Sequence, residues 1–367
     1  AKTGHTVVLQ YLENESFKAK LPTMLQSNDR PDIFYSWGGG VMYDQARAGF
    51  LRDVSSVVPD SYLDTVSAAA ADAFTFEGQR VGLPLQVSQV AWWYNKDLMS
   101  QAGIDVSQIK MWDDLLDAVK QIKAAGITPI CMGGKDKWPV HFVWTHLHIR
   151  NGGKGLFLES LNNGGWDRPE YIRSGEQMLE LVELEPFQKG WLAATWPDQA
   201  GFFGDGKCAM AFMGNWMYGA QASNSASGEG LADANMGMFN MPMTSGGMGD
   251  SGDTLGGING WLFSSTASDA AVELMMHYVS LDIQKEDASN GAYIPIVKGA
   301  DGSLTNPFLQ QVAKNISNSE YHQIFYDQFL GADIGRVVND VSTDLAAGII
   351  SAEEATQAVQ EAWEFNQ

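Results

Sequence analysis

Residues 82–104 read GLPLQVSQVAWWYNKDLMSQAGI, an apolar run that continues into a polar segment and ends near a glycine. The run is typical of a buried strand. Its neighbours Trp92 and Trp93 point to opposite faces, so at most one of them can line a cleft. Outward from this run, strand and helix patterns alternate: strands at 6–11, 31–35 and 128–132, and helices at 17–25 and 112–124. This alternation predicts an α/β fold with mainly parallel sheets.

Three further helices are predicted from residues that favour helix starts. Asp167 is a good N-cap with Pro169 in the first turn, and Ser268 precedes an apolar face of helical period. Ser351 and Glu354 have the spacing of a capping box, in which each side chain binds a backbone N–H of the other residue. We therefore expect helices to begin at these three places.

The composition bounds the kind of protein. At 367 residues the chain is expected to form two domains, and no window is apolar for long enough to predict a membrane-spanning helix. The first residues lack the apolar core of a signal peptide, so we expect any such peptide to have been removed or never present. The formal charge of −21 argues against nucleic acid and anionic lipid as partners, because both are bound by clusters of Lys and Arg.

Twelve tryptophans are unusual for this length. A buried indole needs a partner for its N–H group, so tryptophan is costly to place without a role. Several of them stand beside Gly, Pro or Asn in predicted loops: Trp37, Trp138, Trp196, Trp216 and Trp261. This placement indicates a surface site for flat apolar faces, whereas Trp112 and Trp363 fall on periodic helices and are predicted to be core.

Cysteine, histidine and methionine give no metal motif. Cys131 and Cys208 could form a disulfide or remain two buried thiols, and their spacing does not decide between them. His141, His146 and His148 do not share one helix face, so structural or exposed histidines are predicted rather than a metal site. The methionines of 236–248 lie between two loop-like segments, 223–233 and 244–253, and are predicted to fill the core. No cofactor is expected.

Four segments, in this order, carry a resemblance to a known family. They are GLP at 82–84 with WWYNKDL at 92–98, AGI at 102–104 and WDDL at 112–115; FFGDGKCAM at 202–210 with GNW at 214–216; GGINGW at 256–261; and ISAEEA at 350–355. Together they resemble the extracellular solute-binding proteins of ABC-type sugar importers, the maltose-binding-protein-like family. Met111 departs from the pattern, since the family tends to place a Thr or Ser cap there.

The resemblance implies a two-lobed α/β fold of the periplasmic-binding-protein type II class, with a ligand cleft between lobes joined by several crossings. It implies an N-terminal lobe of residues 1–86 and 256–304 and a C-terminal lobe of residues 87–255 and 305–367. Family members usually have one more strand and helix before the segment that matches 4–7, so we expect that unit to be absent ahead of Gly4.

The same resemblance implies which residues meet the ligand. Trp37 and Gly38 follow an early strand, Gln86 and Ser88 lie at one crossing, and Trp216 matches a tryptophan that stacks on sugar in the maltose-binding branch. The full set of expected contacts is Trp37, Gly38, Gln86, Ser88, Trp138, Trp216, Gly256, Gly257, Asn259 and Trp261. An indole covers the apolar face of a sugar ring, and amides or carboxylates bind its hydroxyls.

The expected function is capture of a neutral sugar for the transmembrane subunits of an ABC importer. The expected location is periplasmic or extracellular, with a lipid anchor left open, and the expected state is a monomer. A binder of a polyamine or another small cation is the nearer alternative, because acidic charge and aromatic rings both attract cations. A glycosidase is more remote, because no segment marks the required pair of carboxylates. A ring of three or four carboxylates facing the cleft would favour a cation, and one or two Asp with Gln or Asn would favour sugar.

Overall fold

The computed structural model describes Gly4 and residues 6–367. Residues 6–13 form no helix or strand, so the predicted strand at 6–11 is wrong, and Val8 is 88% exposed. Its apolar alternation suits a strand, but within the described residues no neighbouring strand provides the ladder of hydrogen bonds that a strand needs. The expected family match at residues 4–7 includes His5, which lies outside the described residues.

Helices make up most of the regular structure. Their bounds are α1 (Asn14–Gln26), α2 (Gly40–Arg47), α3 (Asp60–Leu63), α4 (Ala68–Asp72), α5 (Lys96–Gln101), α6 (Trp112–Ala124), α7 (Trp138–Asn163), α8 (Pro169–Glu183), α9 (Trp196–Gly204), α10 (Met217–Ser223), α11 (Asp269–Tyr278), α12 (Leu281–Ser289), α13 (Pro307–Asn318), α14 (Tyr326–Phe329), α15 (Ala332–Ala346) and α16 (Ala352–Phe365). Helix α7 changes direction at Gly153, whose φ is 62°. Within the described residues, none of these helices combines the length and apolar character that a bilayer span requires.

The predicted helix starts agree closely with this structure. Helix α6 has the predicted bounds, Ser268 caps α11, and Ser351 and Glu354 form the capping box of α16. Helix α8 begins at Pro169 as expected, although its N-cap is Arg168 rather than Asp167. Capping side chains satisfy N–H groups that have no partner inside the helix, which is why these short signatures locate helix starts well.

The strands are β1 (Ile33–Trp37), β2 (Thr75–Phe76), β3 (Gln79–Arg80), β4 (Gly82–Asn95), β5 (Met210–Gly214), β6 (Met236–Phe239), β7 (Thr254–Phe263), β8 (Ile294–Pro295) and β9 (His322–Ile324). The main sheet runs β1-β7-β4-β5, and β6, β8 and β9 join it at the side. Only the β7–β9 pair of these strands is parallel, so the expectation of mainly parallel sheets is wrong. The reason is that the two long strands β4 and β7 run in opposite directions and set the direction of their partners. The predicted strand at 128–132 is reduced to one residue, Ile130, which forms parallel bridges with Phe187 and Met210.

Two separate hydrophobic clusters form the core. The first cluster includes Phe34 and Leu83, and the second includes Trp92 and Val338. Strand β4 begins in the first cluster and ends in the second, and both Trp92 and Trp93 are fully buried. The α/β class is therefore confirmed, whereas the domain boundaries at 86/87, 255/256 and 304/305 stay predictions.

Two further features organise the second cluster. Cys131 and Cys208 form a disulfide with a Cα–Cα distance of 5.6 Å, which answers the question that their spacing left open. The buried Arg150 of α7 donates hydrogen bonds to the backbone carbonyls of Met241, Asp250 and Asp253, among others. A buried guanidinium needs such acceptors, so it holds the predicted loop 244–253 against the helix.

Strands β4 and β7 approach so closely that a side chain at Gly256 has no room. A Cβ atom there would overlap the Ser88 carbonyl oxygen and lie 2.5 Å from His322 Cε1. Gly256→Ala is therefore expected to lower the free energy of unfolding by about 3 kcal/mol, because backbone atoms would have to move. Chemical denaturation measures this, with Gly219→Ala as a control, since no atom lies within 4 Å of that Cβ position. Equal stability of the two variants would contradict the close approach.

Candidate ligand-binding cleft

The paired strands β1, β7 and β4 bring three of the expected contact residues into one row across the sheet. Asn259 on β7 lies opposite Trp37 on β1 and opposite Gln86 on β4. Side chains at paired positions of neighbouring strands share a face of the sheet. Gln86 Nε2 donates a hydrogen bond to the Tyr35 hydroxyl, and burial raises the pKa of Tyr35 to about 12, so the hydroxyl stays protonated at neutral pH. The Asn259 Oδ1 atom is buried without a hydrogen-bond partner in the described part of the chain.

A group of tryptophans from the second cluster faces this region. Trp138 is the first residue of α7, and its ring centroid lies 6.0 Å from that of Trp196 and 6.3 Å from that of Trp216. Behind them, Phe142 stacks on Phe325 at 4.6 Å. All three tryptophans stand at helix starts, where Trp216 is the N-cap of α10 and Trp196 begins α9. The sequence analysis predicted these tryptophans in loops. Each lies instead at the first residue or the N-cap of a helix, directly after a loop.

Helix α1 connects the two groups of aromatic rings. Trp138 Nε1 donates a 3.0 Å hydrogen bond to Glu15 Oε1. Lys18 Nζ lies 5.4 Å from the ring centroid of Trp37 and 5.5 Å from that of Trp138. Trp37 packs in part against the first cluster through Phe17, whereas Trp138 belongs to the second. We call the region bounded by Trp37, Trp138, Trp196 and Trp216 the aromatic cleft.

Carboxylates lie beside the aromatic cleft. Glu15 Oε1 is 3.3 Å from Lys18 Nζ. Burial raises the pKa of Asp136, the negative charges of Glu15 and Glu13 raise it further, and the Trp196 backbone N–H that donates to Asp136 opposes both effects. This sensitivity to Glu15 and Glu13 shows that the three carboxylates are close enough to interact. The region therefore offers acceptors for hydroxyl groups next to flat apolar rings.

Further contacts join the two clusters at a second place. Asp44 Oδ2 on α2 accepts a 2.9 Å hydrogen bond from the backbone N–H of Ala332, the first residue of α15. A Cβ atom at Gly40 would overlap the backbone of Gly331 and lie 2.5 Å from the Phe329 carbonyl oxygen. Gly39 adopts a φ of 104°, which favours glycine. The chain around Trp37-Gly38-Gly39-Gly40 thus lies directly against the end of α14.

The other expected contact residues form hydrogen bonds or pack within the sheet and against its neighbours. Ser88 Oγ accepts from the Gly257 N–H at 3.0 Å, and its hydroxyl lies 3.3 Å from the Gly257 carbonyl oxygen. The Cβ positions of Gly256 and Gly38 are filled by neighbouring backbone, and that of Gly257 by the Phe325 ring. Trp261 lies inside β7, not in a loop, with its ring 5.5 Å from Tyr35. Contact of these residues with a ligand stays a prediction.

Glu15, Lys18 and Asp136 were missed by the sequence analysis. Glu15 lies in the Asn14-Glu15-Ser16 sequence and Lys18 on the polar side of an ordinary amphipathic helix, so neither carries a motif. Some of their contacts join residues far apart in the sequence, such as the Glu15–Trp138 hydrogen bond and the hydrogen bond from Trp196 N to Asp136. Trp196 was also outside the expected set of ligand contacts. Unlike Glu15, Lys18 and Asp136, it had a recognisable sequence pattern, because it is one of the tryptophans beside a proline.

The buried histidines are part of the core. His141, His146 and His148 are buried on α7, where burial lowers the pKa of each, that of His148 to about 3. His141 Nε2 lies 3.7 Å from Asp327 Oδ1, and His148 packs against the rings of Trp144 and Tyr171. No group of three or more residues able to hold a metal ion occurs in the part of the chain that is described.

Comparisons with known proteins identify the family and the fold of the chain. The family model for bacterial extracellular solute-binding proteins matches residues 1–286. A solved structure from work on xylan utilization by Caldanaerobius polysaccharolyticus superposes with a TM-score of 0.88 and 25% identity, over 96% of this chain and 91% of that chain.

Two curated relatives match over shorter stretches. An uncharacterized ABC transporter extracellular-binding protein of Pyrococcus horikoshii is 25% identical over 56% of this chain and 46% of its own length. A multiple sugar-binding protein of Streptococcus mutans is 22% identical over 53% of this chain and 47% of its own length. The chain thus spans about half the length of these relatives. The expected family and the two-lobed α/β class are confirmed: this chain belongs to the bacterial extracellular solute-binding protein family.

Proposed function

We propose that the protein captures a neutral sugar in the aromatic cleft and delivers it to an ABC importer. The observation that carries the proposal is the group formed by Trp138, Trp196 and Trp216 beside Glu15, to which Trp37 is linked through the Lys18 ammonium group. Indole rings cover the apolar C–H faces of a sugar, and the nearby carboxylates and amides bind its hydroxyls. The relative named as a multiple sugar-binding protein supports the same class of ligand.

Lobe closure is the proposed mechanism of capture. The hydrogen bond from Trp138 to Glu15 joins α7 to α1, and that from Ala332 to Asp44 joins α15 to α2. Helices α1 and α2 pack in the first hydrophobic cluster, whereas α7 and α15 pack in the second. If the clusters are the cores of two lobes, these contacts form as the lobes close and exclude water. A ligand held by tryptophans of both lobes shifts the equilibrium toward the closed state, which an importer can recognise.

The alternatives receive less support. The described carboxylates at the cleft are Glu15, Asp136 and the more distant Glu13, and Lys18 already balances one of them. Three carboxylates by number favour a cation, but the ammonium group of Lys18 pairs with Glu15 and lies over two of the indole rings, so we favour sugar. The family consists of binding proteins, and we propose no glycosidase activity. We propose a periplasmic or extracellular location and a monomeric state, as the resemblance implies.

Trp216→Ala tests the role of the cleft. We expect at least a tenfold weaker affinity for the bound sugar, because the variant loses an apolar surface that stacks on the ligand. Calorimetric titration with xylo-oligosaccharides, followed by other di- and trisaccharides, measures the effect. Trp363→Phe is the matched control, since Trp363 lies on α16 against Leu161 and Gly164 and is expected to leave affinity unchanged. An affinity of Trp216→Ala equal to that of the control would remove Trp216 from the site.

A further inference from the structure

The aromatic cleft already holds a cation from the protein itself. Lys18 Nζ lies within 5.5 Å of the ring centroids of both Trp37 and Trp138, a distance at which an ammonium group is attracted to the faces of aromatic rings. The Lys18 side chain is 31% exposed, so the ammonium group is only partly hydrated. The Trp37 and Trp138 rings that we propose to stack on sugar are therefore in contact with a positive charge of the chain itself.

The surrounding charges would otherwise favour a cationic ligand. Glu15 Oε1 lies 3.3 Å from Lys18 Nζ and also accepts a hydrogen bond from the Trp138 N–H, while burial raises the pKa of Asp136 and the negative charges of Glu15 and Glu13 raise it further. Two other described lysines lie at this edge: Lys137 Nζ is 2.6 Å from Asp340 Oδ1, and the charge of Lys135 acts to lower the pKa of Asp136. If Lys18 were neutral, the cleft would combine indole faces with uncompensated carboxylates, which is the chemistry of a site for organic cations.

We propose that Lys18 determines the ligand class: its ammonium group occupies the cation position of the aromatic cleft, so that the cleft rejects amines and accepts neutral sugars. The inference rests on the proposed function, because it assumes that the ligand is a sugar that stacks on the same indole rings. A sugar must move the Lys18 ammonium away from at least one indole, but it need not meet a like charge. A polyamine would meet both the occupied position and the repulsion of Lys18.

Lys18→Met tests this proposal, because methionine keeps an unbranched apolar side chain and removes the charge. Spermidine is the probe, titrated by calorimetry at constant ionic strength. We expect Lys18→Met to bind spermidine at least tenfold more tightly than the wild type, and Lys18→Arg, which keeps the charge, to behave like the wild type. Lys18 lies on the partly exposed side of α1, so both variants are expected to fold, and Lys18→Gln is a second neutral variant.

A second substitution locates the gained binding. Adding Glu15→Gln to Lys18→Met removes the nearest carboxylate and should weaken spermidine binding again by at least threefold. Equal spermidine affinity of wild type, Lys18→Met and Lys18→Gln, including undetectable binding to all three, would overturn the proposal. The proposed sugar function fails separately, if the wild type binds no saccharide, and that outcome is measured without any Lys18 variant.

Discussion

Replacing Cys131 and Cys208 together by alanine is expected to lower the free energy of unfolding by about 4.5 kcal/mol. The disulfide closes a loop of 77 residues, and a cross-link of that length removes much conformational freedom from the unfolded chain. Both residues are fully buried, and their segments are joined by the hydrogen bond from Cys131 N to Met210 O. The bond therefore ties the segment before α7 to β5, close to the helix start that carries Trp138.

Urea denaturation of the oxidised protein, the reduced protein and the double alanine variant measures this effect. The reduced wild type is the control for the small change in side-chain volume, and it should be nearly as unstable as the double variant. A loss below about 1 kcal/mol in both would show that the cross-link does not constrain the unfolded chain as described.

Acidification from pH 7 to pH 5 is expected to lower the free energy of unfolding by about 4 kcal/mol through His148 and His322. Burial lowers the pKa of these residues to about 3 and about 4, whereas the unfolded chain has a histidine pKa near 6.5. Below pH 6.5 the unfolded state therefore binds protons that the folded state does not, so the free energy of unfolding decreases as the pH decreases. Each residue contributes about 2 kcal/mol at pH 5, and His141 and His146 act in the same direction.

Urea titrations at pH 7, 6 and 5 test this expectation. His148→Leu should reduce the dependence on pH by about one proton relative to the wild type. A stability that is flat between pH 7 and pH 5 would show that the buried rings are protonated in the folded state.

Much of the fold follows from short local patterns. The start of α16 follows from Ser351 and Glu354, and that of α11 from Ser268, because capping involves residues only three apart. Strand direction could not be obtained in this way. Alternating strand and helix patterns usually indicate parallel sheets, but β4 and β7 each run from one hydrophobic cluster to the other, and they run in opposite directions.

The group of aromatic rings was predicted in part for a similar reason, whereas its contact with a ligand stays a prediction. Tryptophans beside Gly, Pro or Asn indicated an aromatic surface, and the structure brings Trp138, Trp196 and Trp216 together. The contributions of Glu15 and Lys18 depend on how α1 lies against α7, which no local pattern encodes. The same holds for Arg150, whose acceptors are carbonyl oxygens about one hundred residues away.

The most direct test of sugar capture is a thermal-shift screen of the wild-type protein. The ligands are mono-, di- and trisaccharides, with xylo-oligosaccharides and spermidine included. A ligand that binds only the folded state raises the melting temperature, and the rise grows with the logarithm of the ligand concentration divided by the Kd. We expect at least one class of neutral saccharide to raise the melting temperature and spermidine to leave it unchanged. A rise with spermidine alone, or no rise with any saccharide, would contradict the proposal that the aromatic cleft captures sugar.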